Sequence, residues 1–195
     1  MRNVVSSAVA IVLLTAFCGF VYPLVMTGFA QVAFAHQANG SLIKENGQVV
    51  GSKLAAQPFT GPRYFHPRPS ATAPAYNAGG TTFANLGPTS SDLAKNVRTA
   101  ALAILKLERP FNPGLTIHQI PVDAVTTSSS GIDPDISPAN AQLQSRRVAA
   151  VRNLPLSTVQ KLIDDNTDGR SWGFFGEPGV NVLELNLALD RLGGS

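Results

Sequence analysis

The sequence has 195 residues, of which 44% are hydrophobic and only 14% are charged, against about 25% charged in an ordinary globular chain. Its formal net charge is +3, and a balance this close to neutral excludes a nucleic-acid binder that works by massed phosphate neutralisation. The single cysteine excludes a disulfide framework and every multi-cysteine zinc pattern.

The apolar excess lies near the N-terminus, where residues 8–34 contain no charged side chain. At about 1.5 Å per residue a helix of this length reaches about 40 Å, which is enough to cross a hydrocarbon core of roughly 30 Å. We therefore predict a transmembrane helix at 8–34 after a short segment, 1–7. A cleaved signal peptide ending at Ala33-Phe34-Ala35 fits less well, because the apolar region is twice the usual length. A lipid anchor on Cys18 fits less well still, because bulky Phe17 precedes it.

Pro23 lies in the middle of this predicted span. A proline there frees a backbone carbonyl and is expected to kink the helix, which points to a protein partner inside the membrane. Arg2 precedes the span, and the first basic residue after it is Lys44. The positive-inside bias then favours a cytoplasmic N-terminus and an exported, periplasmic domain over residues 35–195.

Residues 58–92 are rich in Pro, Gly, Ser, Thr and Asn, a composition typical of turns and extended chain. Disordered linkers lack aromatic residues, yet this segment contains five of them. They are Phe59, Tyr64, Phe65, Tyr76 and Phe83. The composition therefore predicts an ordered, functional loop.

Helix signals follow the loop. Thr89 as N-cap with Asp92 three residues later predicts a helix that ends before Pro110. The next segment, 115–127, is expected to be extended and interrupted at Pro121.

A second helix is predicted to begin with Ser137 as N-cap and Pro138 in the first turn, with Val148 and Val151 on its apolar face. A third helix is predicted to begin at Ser157, with Gln160 as the reciprocal partner in a capping box, and to bury three apolar residues. These are Val159, Leu162 and Ile163. The tail, 180–192, has an N-terminal box of Asn181 and Glu184 together with alternating leucines, and is predicted to be a strand passing into a helix. The mixture predicts a small exported α+β domain.

Motifs for catalysis are scarce, because the sequence lacks a phosphate-binding loop, a nucleophile elbow and a zinc-protease helix. The three histidines, His36, His66 and His118, have no metal-like spacing, so no metal site is predicted. Three basic residues of the second helix are expected at the surface, with an ion pair to Asp164 or Asp165. They are Arg146, Arg147 and Arg152.

Ser128–Ser130 lie close in sequence to Asp123, Asp133 and Asp135. These residues could form the nucleophile and base of a stand-alone, membrane-anchored exported enzyme or binding domain. The three carboxylates could instead form an acidic lip that concentrates cations. An exposed polar turn is the simplest interpretation.

Long strings carry a resemblance to a known family. They are GFVYPL (19–24), QANGSLI (37–43), FTGPRYFHPRPSATA (59–73), PVDAVTTSSSGIDPDISP (121–138), RVAAVRNL (147–154) and VNVLELNLALD (180–190). In this order they resemble the KdpC family, the small subunit of the bacterial high-affinity potassium-transporting Kdp ATPase. The likeness runs from Gly19 to Asp190.

This resemblance implies a non-catalytic accessory subunit of the inner (plasma) membrane, with one transmembrane helix in contact with lipid. Its implied partners are KdpA, the potassium-channel-like subunit, KdpB, the P-type ATPase subunit, and the small KdpF. The complex would hydrolyse cytoplasmic ATP to drive potassium inward. ATP and potassium would then be handled by the complex, with no cofactor held tightly by this chain.

The family has been proposed to act as a catalytic chaperone that raises the ATP affinity of KdpB through a glutamine, which is Gln57 here. An exported Gln57 cannot touch cytoplasmic ATP, so the effect would be a coupling free energy of about 1 to 3 kcal/mol. Ala56 replaces a glycine that often precedes the glutamine. The alternative is a cap over the external mouth of KdpA. The partner-facing or cation-facing candidates are Arg68, Ser70, Tyr76, Asn77, Asn85, Asp123, Asp133 and Asp135.

Overall fold

The structure is a computed structural model that describes residues 2–193. The chain divides between Val50 and Gly51 into two compact units, one N-terminal and mainly helical and the other a mixed α+β domain. The predicted fold class, one apolar N-terminal helix followed by a small α+β domain, is confirmed.

The first unit is dominated by a helix over Arg2–Ala33 that is long and apolar enough to cross a membrane. It comprises α1 (Arg2–Ala16), a π-helical turn (Phe17–Val21) and α2 (Tyr22–Ala33), and none of its residues is buried. The helix begins six residues before the predicted span of 8–34 and ends one residue earlier, because Phe34 leaves the helical conformation at φ −139°.

The π-helical turn lies immediately before Pro23. The Tyr22 N–H donates to the carbonyl of Phe17, five residues back, instead of the usual four. One extra residue in a helical turn is a common way to accommodate a proline, because its ring would otherwise collide with the preceding turn. After α2 come α3 (Ala35–Ala38) and a hairpin of β1 (Leu42–Glu45) and β2 (Gln48–Ser52).

Over its described residues, 51–193, the second unit contains five α-helices, a 3₁₀ turn and a three-stranded antiparallel sheet. The helical elements are α4 (Ser91–Glu108), the 3₁₀ turn (Ile117–Gln119), α5 (Val122–Val125), α6 (Pro138–Arg152), α7 (Leu156–Asp165) and α8 (Val182–Arg191). The strands are β3 (Asp135–Ile136), β4 (Thr167–Asp168) and β5 (Gly179–Asn181).

β5 is the central strand of this sheet, in the order β3-β5-β4. Val180 pairs with Ile136 on one side and with Thr167 on the other. The core lies between the sheet and α6, α7 and α8. Its largest fully buried apolar side chains are Phe65, Ile136, Val148, Val159, Val180, Val182, Leu185 and Leu189.

Local capping signals predicted several helix starts well. The Ser137 hydroxyl accepts from the Asn140 N–H with Pro138 in the first turn, and Asn181 accepts from the Glu184 N–H where β5 passes into α8. Both predictions are confirmed. The predicted cap of α4 at Thr89 is wrong by one residue, because the Ser90 side chain accepts from the Leu93 N–H.

The predicted third helix begins at Leu156 after Pro155 rather than at Ser157. It buries Val159 and Ile163, while Leu162 is half-buried against the core. On α6, Val148 is buried as predicted but Val151 is exposed.

The extended conformation predicted for residues 115–127 is wrong, because this segment forms the 3₁₀ turn and α5. The side chain of Gln119 accepts the Thr116 backbone N–H at 2.8 Å, which closes the 3₁₀ turn. Pro121 then precedes the first turn of α5, a position where proline costs no hydrogen bond. The alternating apolar residues here reflect two short turns and not a strand.

Candidate functional site

Two side-chain amides fasten the Pro-rich loop to the helices. Asn186 of α8 accepts the Phe65 N–H at 2.8 Å and donates to the Phe65 carbonyl at 2.9 Å. Gln144 of α6 likewise accepts the His66 N–H at 2.8 Å and donates to the His66 carbonyl at 3.1 Å. Residues 53–90 contain neither helix nor strand, so such bonds replace the missing backbone ladder.

Arg68 joins the loop to the 126–133 segment. Its Nη1 atom lies 2.9 Å from Oδ2 of Asp133, and its Nη2 atom lies 3.4 Å from the Thr127 carbonyl oxygen. The Arg68 carbonyl in turn accepts the hydroxyl of Tyr76 at 3.0 Å. Burial raises the pKa of Tyr76, so its hydroxyl stays a donor throughout the ordinary pH range. Three of the predicted site residues therefore share one network.

Ser70 and Thr72 organise the next turn of the loop. The Ser70 hydroxyl donates to the Gly131 carbonyl at 2.6 Å and accepts the Tyr76 N–H at 3.0 Å. The Thr72 hydroxyl accepts the Asn77 N–H at 3.0 Å. Gly131 has φ +72°, and an added Cβ there would lie 2.7 Å from the Thr72 methyl group. Only glycine fits this close approach without strain.

The remaining loop candidate, Asn85, is exposed at φ +49°. It lines a shallow depression together with Phe83 and the residues Thr126–Ser129. The structure thus brings Arg68, Ser70, Tyr76, Asn77 and Asp133 into one network and leaves Asn85 beside it.

Asp123 and Asp135 have separate structural roles. Asp123 accepts the Ser137 N–H and hydroxyl, both at 2.8 Å, and the Asn140 amide at 2.9 Å, at the start of α6. Asp135 accepts the Asn181 amide at 3.1 Å across the sheet. Burial raises the pKa of Asp135, and the nearby charge of Asp133 acts in the same direction.

Geometry for a Ser and Asp nucleophile does not form around these carboxylates. Ser128 is buried, and the Ser130 hydroxyl accepts the Ile132 N–H. Among the hydrogen bonds of residues 2–193, none joins Ser128–Ser130 to an aspartate. Residues 2–193 also contain no group of three or more His, Cys, Asp or Glu side chains placed to hold a metal ion.

Gln57 packs inside its own domain. A Cβ added to Gly51 would lie 2.2 Å from Nε2 of Gln57 and 2.7 Å from a methyl group of Leu183. The half-buried Gln57 amide therefore lies directly over the Gly51 backbone. Gly51 has no side chain, and this leaves room for the Gln57 amide.

Arg147 and Glu108 form a fully buried ion pair that sequence reasoning missed. Their side chains are 0% and 1% exposed, and Nε of Arg147 lies 2.7 Å from Oε1 of Glu108. Arg147 also donates to the carbonyls of Pro62 and Tyr64 and to the side-chain oxygen of Gln144. Oε2 of Glu108 is buried without a hydrogen-bond partner.

Arg152 is buried too, so the prediction that Arg147 and Arg152 are surface charges paired with Asp164 or Asp165 is wrong. Nη2 of Arg152 lies 2.7 Å from Oδ1 of Asp190, and its Nε donates to the Arg63 carbonyl at 2.7 Å. Asp165 pairs with Lys161 instead. Of the three arginines, only Arg146 is exposed.

A cavity of about 380 Å³ lies between α4 and the loop. Its walls are mostly apolar, with Ile104, Leu107 and Leu143 among them, and its polar lining includes His66 and Glu108. Burial raises the pKa of Glu108 more than Arg147 lowers it. Burial also lowers the pKa of His66, whose Nε2–H donates to the Gly61 carbonyl at 3.0 Å.

His66 is expected to make the domain less stable in mild acid. Since its pKa in the folded chain lies below the ordinary 6.5, the unfolded chain binds more protons, and stability contributed above pH 6.5 is lost as the pH falls through the folded pKa. His66→Gln should weaken the loss of stability seen in urea titrations as the pH falls below about 6.5. The exposed His118→Gln serves as control, and equal pH slopes for both variants would contradict this role.

These features define a class of protein: a small α+β domain carried on one apolar helix long enough to cross a membrane. The family described as "KdpC: K+-transporting ATPase, c chain" matches residues 4–191. The chain therefore belongs to the KdpC family, and the resemblance noted in the sequence is confirmed.

Curated relatives agree over nearly the whole chain. A protein of Methylococcus capsulatus is 51% identical over 179 residues, covering 91% of this chain and 92% of the relative. One of Mycobacterium bovis is 47% identical over 191 residues, with 98% and 99% covered. One of Koribacter versatilis is 46% identical over 189 residues, with 97% and 94% covered. Each is named "Potassium-transporting ATPase KdpC subunit".

Proposed function

We propose that this chain is the non-catalytic accessory subunit of an ATP-driven, high-affinity potassium uptake complex, where it stabilises the assembly. The observation that carries the proposal is the family match over residues 4–191, which includes both the apolar helix and the domain. Further support comes from the candidate residues, since the hydrogen bonds of Asp123, Asp135 and Ser70 serve internal structure.

The partners in this proposal are KdpA, KdpB and KdpF in the inner (plasma) membrane. ATP and potassium are handled by the complex, and this chain holds no cofactor tightly. The unburied apolar surface of Arg2–Ala33 supports contact with lipid and with partner helices. The π-helical turn before Pro23 adds an irregular surface to which a neighbouring helix could pack.

In the proposed orientation the N-terminus is cytoplasmic and the domain is exported. Arg2 supports it through the positive-inside bias, because the first basic residue after the span is Lys44. Any influence on the ATP affinity of KdpB is then indirect. It would be a coupling of about 1 to 3 kcal/mol carried by the span, with Gln57 acting through its packing on Gly51.

The loop network around Arg68, Ser70 and Asp133 is the part of the domain proposed to face KdpA. Its bonds hold an otherwise irregular segment rigid, and a rigid loop loses little entropy on docking. The competing function, a stand-alone exported enzyme that uses Ser128–Ser130 and nearby aspartates, gains no support from the hydrogen bonds of these residues.

Co-purification and site-specific labelling test the proposal. From potassium-starved cells, the tagged full chain is expected to bring down a P-type ATPase and a channel-like subunit in constant ratio. In a Cys18→Ser background, a cysteine replacing Val122, which is 74% exposed, should react with an impermeant maleimide only from the outside. The matched Asn3→Cys variant should react only in inverted vesicles. A chain that purifies alone, or the reverse labelling pattern, would overturn the proposal.

A further inference from the structure

A hairpin between β4 and β5 presents three aromatic side chains to solvent. We name residues 171–176 the aromatic tip. Trp172 is 88% exposed, Phe174 62% and Phe175 60%. The rings of Phe174 and Phe175 lie 4.2 Å apart, so the apolar atoms form one cluster. Soluble domains seldom leave such clusters uncovered, and larger ones mark interaction sites.

The aromatic tip is held in a defined conformation. Ser171 and Phe175 exchange two backbone hydrogen bonds of 2.9 Å. At the base, Nη2 of Arg170 lies 2.9 and 2.7 Å from the two carboxylate oxygens of Glu177. Trp172 has φ +56°, a conformation that bulky residues rarely adopt. The chain therefore keeps a large aromatic residue at a position that favours glycine, and presents it outward.

The charges that flank the aromatic tip indicate its partner. Residues 161–177 contain four acidic and two basic side chains. Both basic ones, Lys161 and Arg170, are already paired, with Asp165 and Glu177 respectively. Asp164 is exposed and Asp168 pairs with Lys53. With Lys53 counted, this segment keeps a net charge of −1, carried by the exposed Asp164. A negative charge beside the tip favours a basic-rimmed protein surface over an anionic lipid surface.

We propose that the aromatic tip docks into an apolar pocket with a basic rim on the extracytoplasmic surface of another subunit of the potassium-transporting ATPase. This inference rests on the function proposed above. Trp and Phe side chains are typical anchors of protein interfaces, where a few buried aromatic residues supply most of the affinity. A rigid hairpin loses little entropy when its aromatic rings are buried.

Pull-down of the whole complex tests the docking. With a tag on the ATPase subunit, Trp172→Ala is expected to reduce the amount of this chain retained after washing by at least tenfold. Val122→Ala, which truncates another exposed apolar side chain outside the tip, should leave retention unchanged. Equal retention of the wild type and Trp172→Ala would overturn the inference. Failure of the wild type to co-purify would overturn the proposed function as well.

Charge reversal gives a second measurement. Asp164→Lys should slow association of the chain with the other subunits severalfold at low ionic strength, and the difference should vanish at about 0.5 M salt. A faster association would overturn the basic rim. Circular dichroism and urea unfolding of the Trp172→Ala chain should match the wild type, because the residue has few internal contacts.

Fluorescence separates a protein partner from lipid. Trp172 is the only tryptophan of the chain, so its emission reports on the tip alone in vesicles that contain just this protein. We expect brominated lipids to leave this emission unquenched. Strong quenching by brominated phosphatidylcholine would overturn the inference and assign the tip to the membrane surface.

Discussion

Replacing Glu108 by alanine is expected to lower the free energy of unfolding of the domain by about 3–5 kcal/mol. The substitution leaves the fully buried Arg147 guanidinium without its counter-charge, 2.7 Å away in the native chain. Arginine cannot relieve this by becoming neutral, because its guanidinium stays charged inside proteins. Urea unfolding of the full chain in detergent, followed by hydrogen exchange of the α6 amides, would measure the loss.

The two partners of this pair are not equivalent. Glu108 has a raised pKa because of its burial, so it can be neutralised at modest cost when Arg147 is absent. Arg147→Met should therefore leave no permanent buried charge without a partner, although it removes the donors that bond the Pro62 and Tyr64 carbonyls.

Glu108→Gln separates charge from shape. It retains an oxygen that can accept from Arg147 but removes the negative charge. We therefore expect its free energy of unfolding to lie between those of the wild type and Glu108→Ala. A variant Glu108→Ala as stable as Glu108→Gln would mean that the pair contributes only through its charge, because the hydrogen bond retained by Gln would then add nothing.

The helices were predictable where their signals are local. Ser137 with Pro138 and Asn181 with Glu184 lie within four residues of the bonds they make, so the sequence pattern contains both partners. The burial of Arg147 has no such signal. Its ion-pair partner lies 39 residues away and its carbonyl partners more than 80 away. A basic residue on a helix with no visible partner is expected at the surface, and here that expectation was wrong.

The candidate site was predictable in composition but not in arrangement. The aromatic and Pro-rich composition of residues 58–92 indicated order, and Arg68, Ser70 and Asp133 do share one network. The same pattern could not distinguish these residues from Asp123, whose bonds go to the start of α6. That distinction depends on the tertiary placement of short loops, which periodicity does not encode.

Asn186 is the residue on which the order of the loop depends most directly. It is fully buried and holds both backbone polar groups of Phe65, itself a fully buried core residue. Asn186→Ala would leave a buried N–H and a buried carbonyl unpaired. At about 1–3 kcal/mol for each group, we expect a loss of about 2–6 kcal/mol in the free energy of unfolding.

Asn186→Leu distinguishes hydrogen bonding from packing, because it fills a similar volume without either bond. If the amide matters through its bonds, Asn186→Leu and Asn186→Ala should both destabilise the domain, and the Phe65 amide should exchange faster with solvent in each. Recovery of wild-type stability in Asn186→Leu would show instead that the side chain acts by filling space. Gln144→Ala should expose His66 in the same way but release Phe65 less, since each amide serves its own residue of the loop. Because the Pro-rich segment has no strand or helix of its own, these two amides are what converts an irregular sequence into a rigid surface that a partner subunit could recognise.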